Sequence, residues 1–223
     1  MTMASPVASH NTAQVFGALW GQYLVILCAV GGLVVLAILF AAIRFRRRGD
    51  GWPGGRSTAP GLEVAYLVVV TLIVVGLLTL TLRAETQVDA LTARPALRIQ
   101  VTAFQWQWRF AYPNGAVQVG ANVQSEHPRF PTLVVPAGAI VEFDLRSADV
   151  IHEFGIPAIR FKRYAFPNST NRFDLTFAHP GLMSGACAQF CGLDHSEMRF
   201  WVLVLPAARF QTWLQSHAGE TST

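Results

Sequence analysis

Two apolar runs within the first 82 residues decide what this chain can fold into. "LWGQYLVILCAVGGLVVLAILFAAI" begins at Leu19, and "LEVAYLVVVTLIVVGLLTLTL" runs from Leu62 to Leu82. Each reaches the roughly 20 residues that a helix needs to cross about 30 Å of hydrocarbon. A cleaved leader is the rival reading of the first run. That run is long, has no basic stretch before it, and is followed by arginines rather than by small residues. A retained two-helix hairpin is therefore expected. Of the 223 residues, 52% are hydrophobic and 13% charged, too apolar a balance for an ordinary soluble domain.

Between the runs, "RFRRRGDGWPGGR" sets Arg44, Arg46, Arg47, Arg48 and Arg56 against Asp50 alone. The positive-inside rule places this loop in the cytoplasm and both flanks on the opposite side. The expected layout is an extracytoplasmic segment 1–18, a membrane helix 19–45, a cytoplasmic loop 46–61, and a second membrane helix 62–82. A linker 83–97, a globular domain 98–206 and a tail 207–223 follow. The basic charge resides in the loop. From Arg83 onward the chain has 12 Lys and Arg against 11 Asp and Glu, and nothing in it suggests nucleic-acid binding.

Past Leu97 the pattern changes to short alternating segments. Ile99, Val101 and Ala103 alternate in one phase; Phe104, Trp106, Trp108 and Phe110 alternate in the other. Read as one strand, this requires a bulge or bend near Ala103. Pro113-Asn114-Gly115 is a turn signal. Strand-like pieces follow at Thr132–Val135, Ile140–Leu145, Arg172–Phe177 and Arg199–Leu205, separated by Pro, Gly and Asn turns. Many short strands in about a hundred residues imply a small all-β sandwich or barrel. The tail after Pro206 reads as a short helix with a frayed end, and no internal repeat is apparent.

"GACAQFCGLDHSEM" carries the chemistry. Cys28 lies within the first apolar run and is most simply a small buried hydrophobe. Cys187 and Cys191 admit a disulfide in an oxidising compartment, but four-residue spacing in a tight loop frames a disulfide poorly. His195 and Met198 follow them, and thiolate, imidazole and thioether together suit copper. Zinc would accept two cysteines and two histidines yet gains little from a methionine. A second histidine must come from elsewhere. His10, His127, His179 and His217 stand in polar or turn contexts, whereas His152 in "DVIHEFGIP" just follows a strand-like segment. Loops at one end of a sandwich would let it meet Cys187.

"FQWQW", "DVIHEFGIP" and "GACAQFCGLDHSEM" resemble, in order, the signature segments of subunit II of haem-copper cytochrome oxidases, and the two preceding helices fit as well. The resemblance implies a membrane-anchored, all-β architecture: a two-helix hairpin followed by a cupredoxin-like Greek-key sandwich holding a dinuclear copper A centre. Cys187 and Cys191 would bridge two copper ions. His152 and Met198 would complete one ion, His195 and the Gln189 carbonyl the other. Many members have glutamate at position 189, where its side chain helps hold magnesium. An amide is a weaker ligand for a hard cation, so magnesium is in doubt here.

By the same resemblance Trp106 would be where electrons enter from cytochrome c or a tethered cytochrome c domain, with Trp108 its packing partner. Ala111 and Tyr164 stand where the family's docking surface has acids. Glu63 resembles a glutamate at the mouth of a proton channel, although Tyr66 replaces the tryptophan that usually follows it. The implied setting is a two-pass protein of the plasma (inner) membrane, with the copper domain outside. There it would contact lipid, subunit I and other oxidase subunits, and pass electrons to the haems that reduce oxygen. A copper A subunit of a nitric oxide reductase, and a metal-free structural or assembly subunit stapled by a Cys187–Cys191 disulfide, are the alternatives. A quinol oxidase subunit lacks these cysteines.

Overall fold

The structure is a computed structural model that describes residues 12–46, 58–120 and 129–222. His10, His127, Arg47, Arg48, Arg56 and most of segments 1–18 and 46–61 lie outside the described residues. The described residues form two compact units, one of 16–85 and one of 86–222 together with 12–15.

The first unit is built from most of two helices, α1 (Thr12–Arg44) and α2 (Pro60–Asp89), whose outer ends, 12–15 and 86–89, belong to the second. Both are apolar all round. Their apolar stretches find no cover in the protein, which suits a lipid surround rather than an aqueous one. The hydroxyl of Tyr23 on α1 donates to the Leu77 carbonyl at 3.3 Å and also bonds the Thr81 hydroxyl, so a polar clasp joins the hairpin inside its apolar stretch. Helix α2 extends past the expected end at Leu82, to Asp89. No Gly or Pro interrupts Arg83–Asp89, and the carboxylate of Asp89 pairs with Arg163 at 2.6 Å. The remaining linker is tied down: the Thr92 N–H donates to Asp174 at 2.6 Å and the Ala96 N–H to the Ile140 carbonyl at 2.9 Å.

The second unit is a two-sheet sandwich. In chain order its strands are β1 (Leu97–Phe104), β2 (Gln107–Ala111), β3 (Val117–Val119), β4 (Thr132–Pro136), β5 (Ile140–Ser147), β6 (His152–Ile156) and β7 (Phe161–Ala165). They continue with β8 (Asn171–Thr176), β9 (Gly181–Cys187), β10 (Arg199–Leu205), helix α3 (Ala207–Ser216) and β11 (Thr221–Ser222). One sheet runs β11-β3-β2-β1-β5-β8 and the other β4-β10-β9-β6-β7. The inner faces meet in an aromatic core. Phe154 stacks on Phe200 with centroids 4.7 Å apart and lies 5.5 Å from Trp108 and 6.3 Å from both Phe143 and Phe173.

Two further expectations change. No bend occurs in one strand at Ala103. The chain reverses at Gln105–Trp106 into an antiparallel hairpin that pairs Ala103 with Trp108. Paired residues project to the same face, and these two lie an odd number of residues apart, so the turn itself switches the phase. The tail is not frayed after its helix, because Thr221 and Ser222 add a strand against Val117 and Gln118.

Candidate metal centre

The six expected donors arrive from three pieces of backbone. His152 opens β6, and its ring is fully buried. Cys187 closes β9, where it pairs with Phe154 and its N–H donates to the Met198 carbonyl at 2.9 Å. Between Cys187 and β10 the chain forms a loop that carries Gln189 and Cys191, then a single 3-10 turn at His195–Glu197 that delivers His195 and Met198. The loop returns to the β9–β10 ladder at Arg199, which pairs with Ala186. The strand pairing thus fixes both ends of the loop.

The donor atoms converge. The two sulfurs lie 3.9 Å apart, almost twice the ~2.05 Å of a disulfide, so both thiols are free. The Cys187 sulfur is 3.8 Å from His152 Nδ1 and 3.2 Å from the Gln189 carbonyl oxygen. The Cys191 sulfur is 3.4 Å from His195 Nδ1 and 3.8 Å from the Met198 sulfur. One ligand atom from each of His152, Cys187 and Cys191 falls within 4.8 Å of the others, and all three residues are buried.

Electrostatics favour a cation here. Burial, reinforced by repulsion from Cys187, pushes the Cys191 thiol up to about 12. The Cys191 thiolate therefore forms at neutral pH only if a bound metal supplies the compensating charge. Burial also lowers the His152 pKa, against the opposing pull of Asp149, so the imidazole is held in its neutral, ligating form. The Nε2–H of His152 donates to Asp149 Oδ1 at 2.8 Å and leaves Nδ1 toward the sulfur. Burial raises the Asp149 pKa, but hydrogen bonds from His152 and from the N–H groups of Gln105 and Val150 outweigh this and hold the carboxyl below its ordinary range. Two sulfurs, two ring nitrogens, a thioether and one carbonyl form a soft donor set suited to copper rather than to a hard cation.

Trp106 sits half-buried in the β1–β2 turn, and its indole N–H donates to the Cys191 carbonyl at 3.2 Å. Trp106 packs against the buried core that includes Trp108. Trp108 projects into that core, where it meets His152, Phe154 and Phe200 at 6.3, 5.5 and 5.4 Å, and its N–H reaches the Met198 carbonyl at 3.4 Å. Glu63 belongs to the helical unit, where its side chain accepts the Ala59 N–H at 3.3 Å at the start of α2. Two residues at the site were not anticipated. Asp149 orients His152, and Gln105 donates from its side chain to the Cys191 carbonyl at 2.8 Å.

A membrane hairpin followed by a cupredoxin-like sandwich, with a soft-donor pocket at one end, defines the class of membrane-anchored cupredoxin domains. Residues 97–205 match the family described as cytochrome c oxidase subunit II, periplasmic domain. A probable cytochrome c oxidase subunit 2 of Streptomyces avermitilis is 31% identical over 92% of this chain and 74% of its own length. Its counterpart from Streptomyces coelicolor is 30% identical with the same coverage. The crystal structure of the periplasmic domain of subunit II of cytochrome oxidase from Bradyrhizobium japonicum superposes with a TM-score of 0.51. It shares 31% identity and covers 57% of this chain and 96% of that one. The chain belongs to the cytochrome c oxidase subunit II family. It is membrane-anchored, with an extracytoplasmic β-domain.

Proposed function

We propose that this chain is the electron-accepting subunit of a haem-copper terminal oxidase. It would take single electrons from an extracytoplasmic donor at a dinuclear copper A centre and pass them to the haems of subunit I, where oxygen is reduced to water. The observation that carries this reading is the gathering of six soft or neutral donor groups at one end of the sandwich, with His152, Cys187, Cys191 and Met198 buried. In this reading Cys187 and Cys191 would hold both ions, His152 and Met198 would help hold one, and His195 with the Gln189 carbonyl would help hold the other. Bound there, the copper pair supplies one-electron redox chemistry with the charge change shared between two metals.

The chain's own residues set the conditions for that chemistry. Asp149 fixes the ring nitrogen that His152 presents. Trp108, Phe154 and Phe200 fill the space behind the histidine and keep water out. The contact of the Trp106 indole with the Cys191 carbonyl supports Trp106 as the place where electrons enter. A neutral side chain at Gln189 argues against a strong magnesium site beside the copper. Glu63 in the first turn of α2 fits a proton-collecting role at the cytoplasmic face of a two-pass protein of the plasma (inner) membrane.

Copper analysis of the purified full-length protein tests this reading. Two coppers per chain and a mixed-valence spectrum are expected, and Cys187→Ser should abolish that spectrum. A normal dinuclear signal in Cys187→Ser, or a protein that binds no copper, would overturn it.

A further inference from the structure

Besides the donors themselves, Gln105 is hydrogen-bonded to both sides of the pocket. Gln105 opens the turn between β1 and β2, and its backbone N–H donates to Asp149 Oδ2 at 2.6 Å. The other oxygen of Asp149 holds His152. The side-chain amide of Gln105 reaches the opposite way and donates to the Cys191 carbonyl at 2.8 Å, the same oxygen that receives the Trp106 indole N–H at 3.2 Å. The neighbouring loop residue makes room for this convergence. Gly192 has φ of 122°, and a Cβ there would lie 3.1 Å from Gln105 Nε2 and 3.1–3.2 Å from two atoms of the Trp106 indole.

We propose that Gln105 is a positioning residue for electron transfer, holding the Trp106 ring against the main chain of a copper-ligating cysteine. The inference rests on the reading above that Trp106 admits electrons to copper at Cys187 and Cys191. A carbonyl oxygen has two lone pairs, and two N–H donors approaching together fix its orientation more tightly than either does alone. Tunnelling weakens exponentially with any through-space gap, so an indole held by a hydrogen bond on the Cys191 backbone couples far better than one free to swing. Without the Gln105 donor the carbonyl can turn toward water, and the indole loses its register with it. Gln105 touches none of the donor atoms, so its loss should leave the metal itself unchanged.

The test uses the oxidase complex carrying Gln105→Ala or Gln105→Glu; the second keeps the size and removes the donor. Both variants should retain two coppers per chain and the wild-type copper spectrum. Single-turnover electron transfer from the native donor should slow severalfold, with the donor KM of Gln105→Ala unchanged. In the copper-free full-length chain labelled with 15N-tryptophan, the Trp106 indole N–H, assigned by its loss in Trp106→Phe, should exchange about two- to tenfold faster in both variants, as expected for losing one supporting hydrogen bond. Wild-type transfer rate and wild-type exchange in both variants would overturn the proposal. An altered copper spectrum would also overturn it, because Gln105 would then be shaping the ligands. A wild-type complex without copper would instead overturn the copper reading, and this role with it.

Discussion

Tyr112 ties the two sheets together through one hydroxyl. It sits just past β2, accepts the Val134 N–H at 2.8 Å and donates to the Val134 carbonyl at 3.0 Å on β4, the edge of the opposite sheet. Burial raises the pKa of its hydroxyl well above the ordinary 10.0, with the bond to Val134 opposing more weakly. Below about pH 10 the folded and unfolded chains both keep this proton, and the full contribution to stability is present. Above it the unfolded chain ionises while the folded one does not, so stability falls as pH rises. Tyr112→Phe should cost about 1–3 kcal/mol at pH 8, because both polar groups of Val134 lose their buried partner. It should also remove this residue's share of the alkaline loss. Denaturant unfolding of the two proteins at pH 8 and pH 10.5 measures both effects, and equal stability at pH 8 would show that the bond is not needed. At this scale the sequence was legible where chemistry is dense. Cys187, Cys191, His195 and Met198 announce themselves by type and spacing. Asp149 and Gln105 do not, since an acid three residues before a histidine, or a glutamine before a tryptophan, has no pattern until the fold brings them together.

Among the strands, β4, β5, β8 and β10 were readable because apolar residues recur there between clear turns. β6 was not, since its five residues are all buried and show no alternation, and β9 was hidden by its small residues. The hairpin of β1 and β2 was readable as strand but not as two strands, because its turn lacks the Gly or Asn that marks most two-residue connections. The β9–β10 ladder has its own requirement. Gly185 pairs with Phe200, and a Cβ at 185 would come within 2.1 Å of the Phe200 ring, which is stacked on Phe154. Gly185→Ala should therefore push that ring into the aromatic core and destabilise the domain by about 1–3 kcal/mol. Thermal unfolding of the variant reads this directly, and an unchanged midpoint would mean that the core can rearrange around the methyl group.

For the whole molecule, membrane attachment and domain order were plain from the two apolar runs, while the layout of the metal end was not. Around the pocket the exposed side chains include Val150, Ile151, Phe190 and Leu193, of which Leu193 is 84% exposed. Tyr164 and Phe166, with ring centroids 5.8 Å apart, carry this apolar character along the end of β7. With nearly balanced charges from Arg83 onward, such a surface offers little long-range attraction to a basic donor. Reduction by the native donor should therefore depend only weakly on ionic strength, and Trp106→Ala should slow it without altering the copper spectrum. Stopped-flow measurements across a salt series would check this; a steep fall with added salt would show that acids such as Glu153, Asp194 or Glu197 provide steering after all. Five of the six donors lie between Cys187 and Met198, in one loop whose ends are clamped by the β9–β10 ladder. The sandwich beneath it closes through its aromatic core, most of which lies outside that loop. Rewriting about a dozen codons could dismantle such a pocket and leave the scaffold standing, so a lineage could lose this site without having to reinvent the fold.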